Sequence, residues 1–316
     1  MLSKNIKLRS TRDGFGDALL ELGKKNKDVV VVSADLAEST RVHNFAKKFP
    51  QRFFEVGVAE QNAMGVAAGL ALSGKIPYLA SFGVFSPGRN WDQLRVSVAY
   101  SQANVKIVSS HTGLSVGEDG ASHQALEDIA LVRTLPNMTV IVPADYYQAK
   151  RATIEAAKLN GPVYLRFGRP ASPIITNNSS DFKIGRADVL LKGSDLTIIG
   201  CGPILHEALL AAKELQSKKI KAEVINCHTI KPLDKATILR SVKKTKCLIT
   251  VEDHQIAGGL GSAILEMLAE NFPVPAQMIG VRDTFGESGR PSELWDKYGL
   301  SHSHIVKAAW QVLKRK

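Results

Sequence analysis

Short apolar runs alternate with amphipathic segments along almost the whole of this chain, and that alternation limits the folds open to it. Val29 to Ser33 reads as a buried strand, as do Tyr78 to Ser81, Val105 to Ser110, Thr139 to Val142 and Val163 to Phe167. Between them lie helical patterns: Asp13 to Leu22, Glu60 to Leu72, Trp91 to Tyr100, His123 to Arg133 and Tyr146 to Leu159. Strands that are apolar on both faces and separated by helices imply a parallel sheet covered on both sides. A stretch rich in Pro, Ser, Asn and Thr, from about Pro170 to Lys183, lacks periodicity and reads as a linker. The alternation then resumes. Strands are expected at Leu196 to Gly200, Ala222 to Cys227, Cys247 to Val251 and Gln277 to Ile279. Helices are expected at Leu205 to Gln216, Lys235 to Ser241, Leu260 to Glu270 and Ile305 to Leu313. A chain of 316 residues has room for two such domains, and the expected division is 1–180 and 181–316. No internal repeat stands out.

Several function classes recede on composition. No apolar run reaches the roughly 18 residues that span a bilayer. Residues 1–7 carry no apolar stretch of the signal-peptide kind. Cys201, Cys227 and Cys247 lie at the strands of the second half without metal-like spacing, and read as buried free thiols of a reducing compartment. The net charge of +11 raises nucleic acid as a partner. The basic residues are dispersed, however, with clusters such as Lys24-Lys25 and Lys218-Lys219 at helix ends. No basic run carries interleaved aromatics, so nucleic-acid binding is the weaker reading. Small anionic substrates suit a positive field equally well.

In an open parallel sheet, ligands meet the carboxyl ends of the strands. The loops expected there are rich in functional groups: Gly57-Val58-Ala59-Glu60-Gln61-Asn62, Ser81-Phe82-Gly83-Val84-Phe85, and Ser110-His111-Thr112-Gly113 running on to Gly117-Glu118-Asp119-Gly120-Ala121-Ser122-His123-Gln124. Glu60 could simply complement a helix dipole and cap free N–H groups. It could also be a functional acid, whose proton-holding form Val56, Val58 and Met64 would favour by shielding it. Phe82 and Phe85 suit the core, or an aromatic clamp for a flat heterocycle. His111, Asp119 and His123 share one glycine-containing loop, where packing rarely demands such groups. Metal binding fits poorly, since no His-x-x-x-His occurs. A serine nucleophile lacks its Gly-x-Ser-x-Gly elbow. His302 and His304 fall in a polar tail segment and read as solvent-exposed.

The string Val56-Gly57-Val58-Ala59-Glu60-Gln61-Asn62-Ala63-Met64-Gly65 resembles the catalytic-glutamate motif of the transketolase group of thiamine-diphosphate enzymes. Phe82 and Phe85, His111-Thr112 and the 117–124 string follow in that family's order, and the resemblance covers nearly the whole chain. It implies an α/β fold: a thiamine-diphosphate pyrimidine-binding domain with a parallel sheet, then a transketolase C-terminal α/β domain. Glu60 matches the glutamate that hydrogen-bonds the cofactor's aminopyrimidine and so promotes proton loss from the thiazolium carbon. The cofactor acts as electron sink. Phe82 and Phe85 match residues that pack on the pyrimidine. Val58 matches an apolar residue near the cofactor, and Asp35 an acidic one near the cofactor and subunit interface. His111 and His123 match histidines that contact substrate hydroxyls and assist proton transfer. Asp119 matches an aspartate that reads a substrate hydroxyl. Arg12, Ser39 and Arg169 match phosphate contacts. For Arg12 and Asp35, surface or interface ion pairs remain as the plainer alternative.

The departures from the family pattern are informative. Asn62 stands near where many members have a histidine, and Gly88 where some have a tyrosine. The family holds the diphosphate and a magnesium or calcium ion with Gly-Asp-Gly and, about thirty residues on, an Asn, because a hard cation needs oxygen ligands. No Gly-Asp-Gly occurs in this chain. The resemblance therefore implies a separate N-terminal subunit that carries it and anchors both diphosphate and metal. The expected assembly is a cytoplasmic dimer of heterodimers acting on sugar phosphates. Two related readings stay open: the beta subunit of a 2-oxo-acid dehydrogenase, and an enzyme like 1-deoxyxylulose-5-phosphate synthase. His111 and the Gly-Glu-Asp-Gly string favour transketolase.

Overall fold

A computed structural model describes residues 7–316, so the reading of residues 1–6 lies outside the described residues. The short strand β1 (Leu8–Ser10) leads to β2 (Val29–Ser33), β3 (Phe53–Glu55), β4 (Ile76–Phe82), β5 (Lys106–Ser110), β6 (Thr139–Ile141) and β7 (Val163–Arg166), with β8 (Ala171–Pro173) closing the first half. The second half holds β9 (Asp188–Leu191), β10 (Leu196–Gly200), β11 (Ala222–Asn226), β12 (Thr229–Lys231), β13 (Leu248–Gln255) and β14 (Ala276–Val281).

The first sheet has seven strands in the order β12-β6-β7-β5-β4-β2-β3. Its pairs are parallel except at the β12 edge, which runs antiparallel to β6. The second sheet has five strands in the order β14-β13-β10-β11-β9, parallel except for β9. Every residue of β2, β5 and β10 is buried, which is why those strands read as unbroken apolar runs rather than as alternations. Because β12 comes from beyond residue 180, the first sheet draws its last strand from the later half of the chain.

Several local expectations need correction. The expected linker contains β8, which pairs antiparallel with β1. It is pinned further by Asp145, whose carboxylate accepts from Ile175 N at 2.8 Å and caps the helix Tyr146–Lys158 through Gln148 N at 3.0 Å. The helix expected from His123 begins only at Asp128. Residues before it are spent elsewhere: Ala125 bridges to Thr112, and Gln124 Nε2 donates to Leu114 O, Gly117 O and Glu287 O. The helix from Trp91 widens to π-helical turns over Leu94–Tyr100. His302 and His304 are not in an exposed tail. They open the last helix, His302–Leu313, half-buried, and His302 Nδ1 lies 3.1 Å from Glu207 Oε2. The three cysteines are free and buried.

Candidate active site

Five parallel strands deliver their carboxyl ends to one edge of the first sheet, and the site residues leave from them. Asp35 and Ser39 follow β2, Glu60 follows β3, Phe82 ends β4 with Phe85 just beyond, His111 follows β5, and Arg169 follows β7. Arg12 comes from the helix Thr11–Lys25. The hydroxyls of Ser10 and Thr11 donate to Gly168 O, so the Arg12 helix end is bound beside Arg169.

Glu60 is the first residue of the helix Glu60–Leu72 and is 4% exposed. Its carboxylate takes no backbone N–H of that helix, so capping is not its task here. Among the described residues it meets one side chain, Arg89, with Nη1 at 3.4 Å from Oε1. The apolar shield expected of Val58 is absent: Val58 is 68% exposed, while Met64 is buried beneath the helix. Val58, Glu60, Asn62 and Arg89 instead line an open cleft of about 470 Å³.

Phe82 and Phe85 are stacked with ring centroids 5.9 Å apart. Phe82 also stacks on the His111 imidazole at 3.8 Å, and His123 meets Phe85 edge-on at 5.6 Å. Arg89 continues the chain of contacts, its guanidinium carbon 4.4 Å from the Phe85 ring centre. Glu60, Arg89, Phe85, Phe82, His111 and His123 thus form one connected group. His111 is 3% exposed and holds a left-handed backbone conformation, φ 55°. Burial first, then the positive charges of Arg12 and Arg169, push its pKa down to about 3. It is therefore a neutral imidazole, with Nδ1 2.9 Å from Ser110 Oγ and Nε2 left over. His123 is half-buried and similarly placed, Nδ1 2.9 Å from Ser122 Oγ.

The opposite rim is cationic. Arg12 Nη1 donates to Ser39 O at 2.8 Å, while its buried Nε has no partner. Burial first, then the nearby Arg41 and Arg169, lower the Arg12 pKa, against an opposing effect of Asp13. Arg169 donates to Val116 O at 2.7 Å and pairs with Glu118 at 2.9 Å, with Asp119 at 3.8 Å. Asp35 is exposed and in a left-handed turn, φ 57°. Its N–H donates to Glu55 Oε1 at 2.7 Å, and the same oxygen accepts from Gly57 N at 3.1 Å. Glu55 thereby binds the turn carrying Asp35 to the turn that introduces Glu60.

Sequence reasoning missed Glu55, Arg41, Arg89 and a fourth group, Asp253. Asp253 belongs to the run Glu252-Asp253-His254 on β13, where all three residues are buried. Three consecutive ionisable residues in a strand of an apolar sheet are a signal in their own right. The buried Arg166 joins this region to the first sheet: Nε donates to Asp128 Oδ2 at 2.7 Å, and Nη2 to Asp253 O at 3.0 Å.

A buried carboxylate and a stacked phenylalanine pair, linked by Arg89, are groups of the kind that suit the flat pyrimidine half of thiamine diphosphate. No three His, Cys, Asp or Glu side chains gather as metal ligands among the described residues.

Residues 7–174 match the family described as transketolase, pyrimidine binding domain, and residues 185–305 match transketolase, C-terminal domain. The chain is 47% identical over 311 residues to a protein of Methanocaldococcus jannaschii described as a transketolase C-terminal section, with 97% of each chain covered. It is 44% identical over 305 residues to a 6-deoxy-6-sulfo-D-fructose transketolase subunit of a Clostridium species, covering 96% of this chain and 95% of that one. A solved structure described as a split gene transketolase, inactive beta4 tetramer, superposes with a TM-score of 0.91 at 46% identity, covering 97% of this chain and 99% of the other.

Proposed function

The chain belongs to the transketolase family as the C-terminal section of a split transketolase, and from that premise we propose that it is one half of a two-carbon transferase. With an N-terminal subunit bearing Gly-Asp-Gly, it moves a ketol unit from a ketose phosphate to an aldose phosphate. The observation that carries this reading is the placement of Glu60: a buried carboxylate, free of backbone capping, facing a cleft beside the Phe82–Phe85 pair.

Thiamine diphosphate, when bound, supplies the nucleophilic carbon and the electron sink for breaking a carbon–carbon bond. Glu60 would hold the pyrimidine ring nitrogen, and Phe82 and Phe85 would pack on the ring. Val58 and Asp35 are exposed on the side left open to a partner. The partner would bring the diphosphate site and its magnesium or calcium ion. Val58 is an exposed apolar group at the cleft, and Leu72, Val96 and Tyr100 are further exposed apolar residues, Leu72 at the other end of the Glu60 helix and the other two on the π-helical segment. Exposed apolar groups of this kind support a docked subunit.

His111 is neutral, so it can donate or accept one hydrogen bond at Nε2 to a substrate hydroxyl, and any part in proton transfer would require the bound sugar to raise its basicity. His123, on the far side of Phe85, can serve a second hydroxyl. Asp119, 3.8 Å from Arg169, would read a hydroxyl of the incoming sugar. Arg12, Arg169 and Ser39 form the rim for the sugar's anionic end, and the unpartnered Arg12 Nε supports that role. The Clostridium relative is named for a sugar whose far end is also an anion, a sulfonate. The solved relative is an inactive tetramer of one chain, which supports self-association here too, with activity awaiting the partner. The buried free thiols suit the reducing cytoplasm.

The test is a ketol-transfer assay on the reconstituted pair with thiamine diphosphate and magnesium. Transfer between ketose and aldose phosphates is expected, and Glu60→Ala should lower kcat by about 10²-fold or more. Unchanged turnover in that variant would overturn the role of Glu60. Activity on pyruvate but on no ketose phosphate would overturn the reaction.

A further inference from the structure

The loop from His111 to His123 carries three of the proposed substrate contacts, yet its regular structure is confined to one helical turn, Leu114–Val116, and a single bridge. It makes repeated left-handed bends, at His111, Gly113, Gly117 and Gly120. A loop of that shape needs anchors. The first domain supplies some, through Phe167 O and Arg169, and the second domain supplies a buried carboxylate. Asp253 Oδ1 accepts from Leu114 N at 2.8 Å, and Oδ2 from Ser115 N at 3.2 Å. The carboxylate fills the place a side chain on Gly113 would take: a Cβ there would stand 2.2 Å from Oδ2. Asp253 is 6% exposed and is itself held through its backbone oxygen by Arg166, which Asp128 fixes in turn. Further along, Gln124 reaches Glu287 O at 2.9 Å, and Gly120 lies against Ser288.

We propose that Asp253 is a positioning residue, through which the C-terminal domain sets the conformation of the loop that presents His111, Asp119 and His123 to the sugar. This rests on the reading of that loop as substrate-binding. A buried carboxylate receiving two successive backbone N–H groups fixes a turn more firmly than neutral contacts do. His111 lies only three residues before Leu114, so a displaced turn displaces the imidazole. The cofactor side of the cleft, built from Glu60 and the strand ends around it, does not run through Asp253. The C-terminal domain is in this view part of the substrate site, although none of its side chains reaches the sugar.

The test uses Asp253→Ala and Asp253→Asn in the full chain. Hydrogen exchange on the chain alone should show residues 111–124 exchanging about tenfold faster or more in the alanine variant. The helices Glu60–Leu72 and Leu205–Ser217 should exchange as before. In the reconstituted pair, kcat/KM for the sugar should fall about tenfold or more, because a small misplacement of a binding group is costly. Half-saturation by thiamine diphosphate should move much less than kcat/KM, since the only link from the loop to the cofactor side is the stacking of His111 on Phe82. The asparagine variant keeps one oxygen acceptor and should fall between the two. Local exchange and kcat/KM both at wild-type values in the alanine variant would overturn the proposal. So would a uniform rise in exchange accompanied by a matching loss of cofactor affinity, which is the behaviour of a merely structural residue. Should the wild-type pair transfer no ketol unit, the transferase reading fails, while the exchange experiment still decides whether Asp253 sets the loop.

Discussion

At the scale of the residue, His111 shows how position determines chemistry. The same imidazole on the surface would be half protonated near pH 6.5. Here burial and nearby guanidinium groups hold it neutral down to about pH 3. The sign follows from linkage. Between about 6.5 and 3 the unfolded chain binds a proton that the folded chain refuses, so this site's contribution to stability is retained above pH 6.5 and lost as the pH falls through that window. In NMR of the chain, the His111 ring signals should stay constant from pH 8 to pH 5. A titration midpoint near 6.5 would show that the ring is solvated and the site is built differently. The residues legible beforehand were those whose types cluster at strand ends, such as Glu60, the phenylalanine pair and the two histidines. Arg89 was not legible, because an arginine directly after Pro87-Gly88 looks like any surface cation. Its contact with Glu60 exists only once the β4 exit folds back over the Glu60 helix. Val58 misled for the opposite reason: an apolar residue reads as buried, whereas this one faces outward.

At the scale of the element, the central strands and longer helices were legible because a strand buried on both faces leaves a continuous apolar run. The helix Glu60–Leu72 and the strands Val29–Ser33 and Leu196–Gly200 fall where their patterns place them. The edge strands β1, β3, β8, β9 and β12 were not legible. Each is three or four residues long, and its existence depends on a partner distant in sequence. The late start of the helix at Asp128 has the same origin, since Gln124 and Ala125 are claimed by the loop. Asp128 itself joins elements: it accepts from Tyr164 at 2.8 Å and from Arg166, tying its helix to β7 and, through Arg166, to β13. Burial alone would raise its pKa, but the Arg166 charge holds it below the usual carboxylate value. Asp128→Ala leaves a buried guanidinium without its counter-charge and should cost about 3–5 kcal/mol of stability. Denaturant unfolding with an unchanged midpoint would show that the pair contributes nothing.

At the scale of the whole molecule, the chain is a site with one wall missing. One edge of the first sheet gathers a carboxylate, stacked aromatics, two histidines and an arginine rim, and no Gly-Asp-Gly accompanies them in the chain. The second domain closes the substrate loop from behind through Asp253 and Gln124. The expectation of a second chain rests on the missing Gly-Asp-Gly and on relatives described as a C-terminal section or a subunit. The most direct measurement is calorimetric titration of thiamine diphosphate and magnesium into this chain, into an N-terminal subunit bearing Gly-Asp-Gly, and into their mixture. The account predicts saturable binding at full strength only in the mixture, weakened by Glu60→Ala. Tight binding by this chain unaided, or none by a stably assembled mixture, would contradict it.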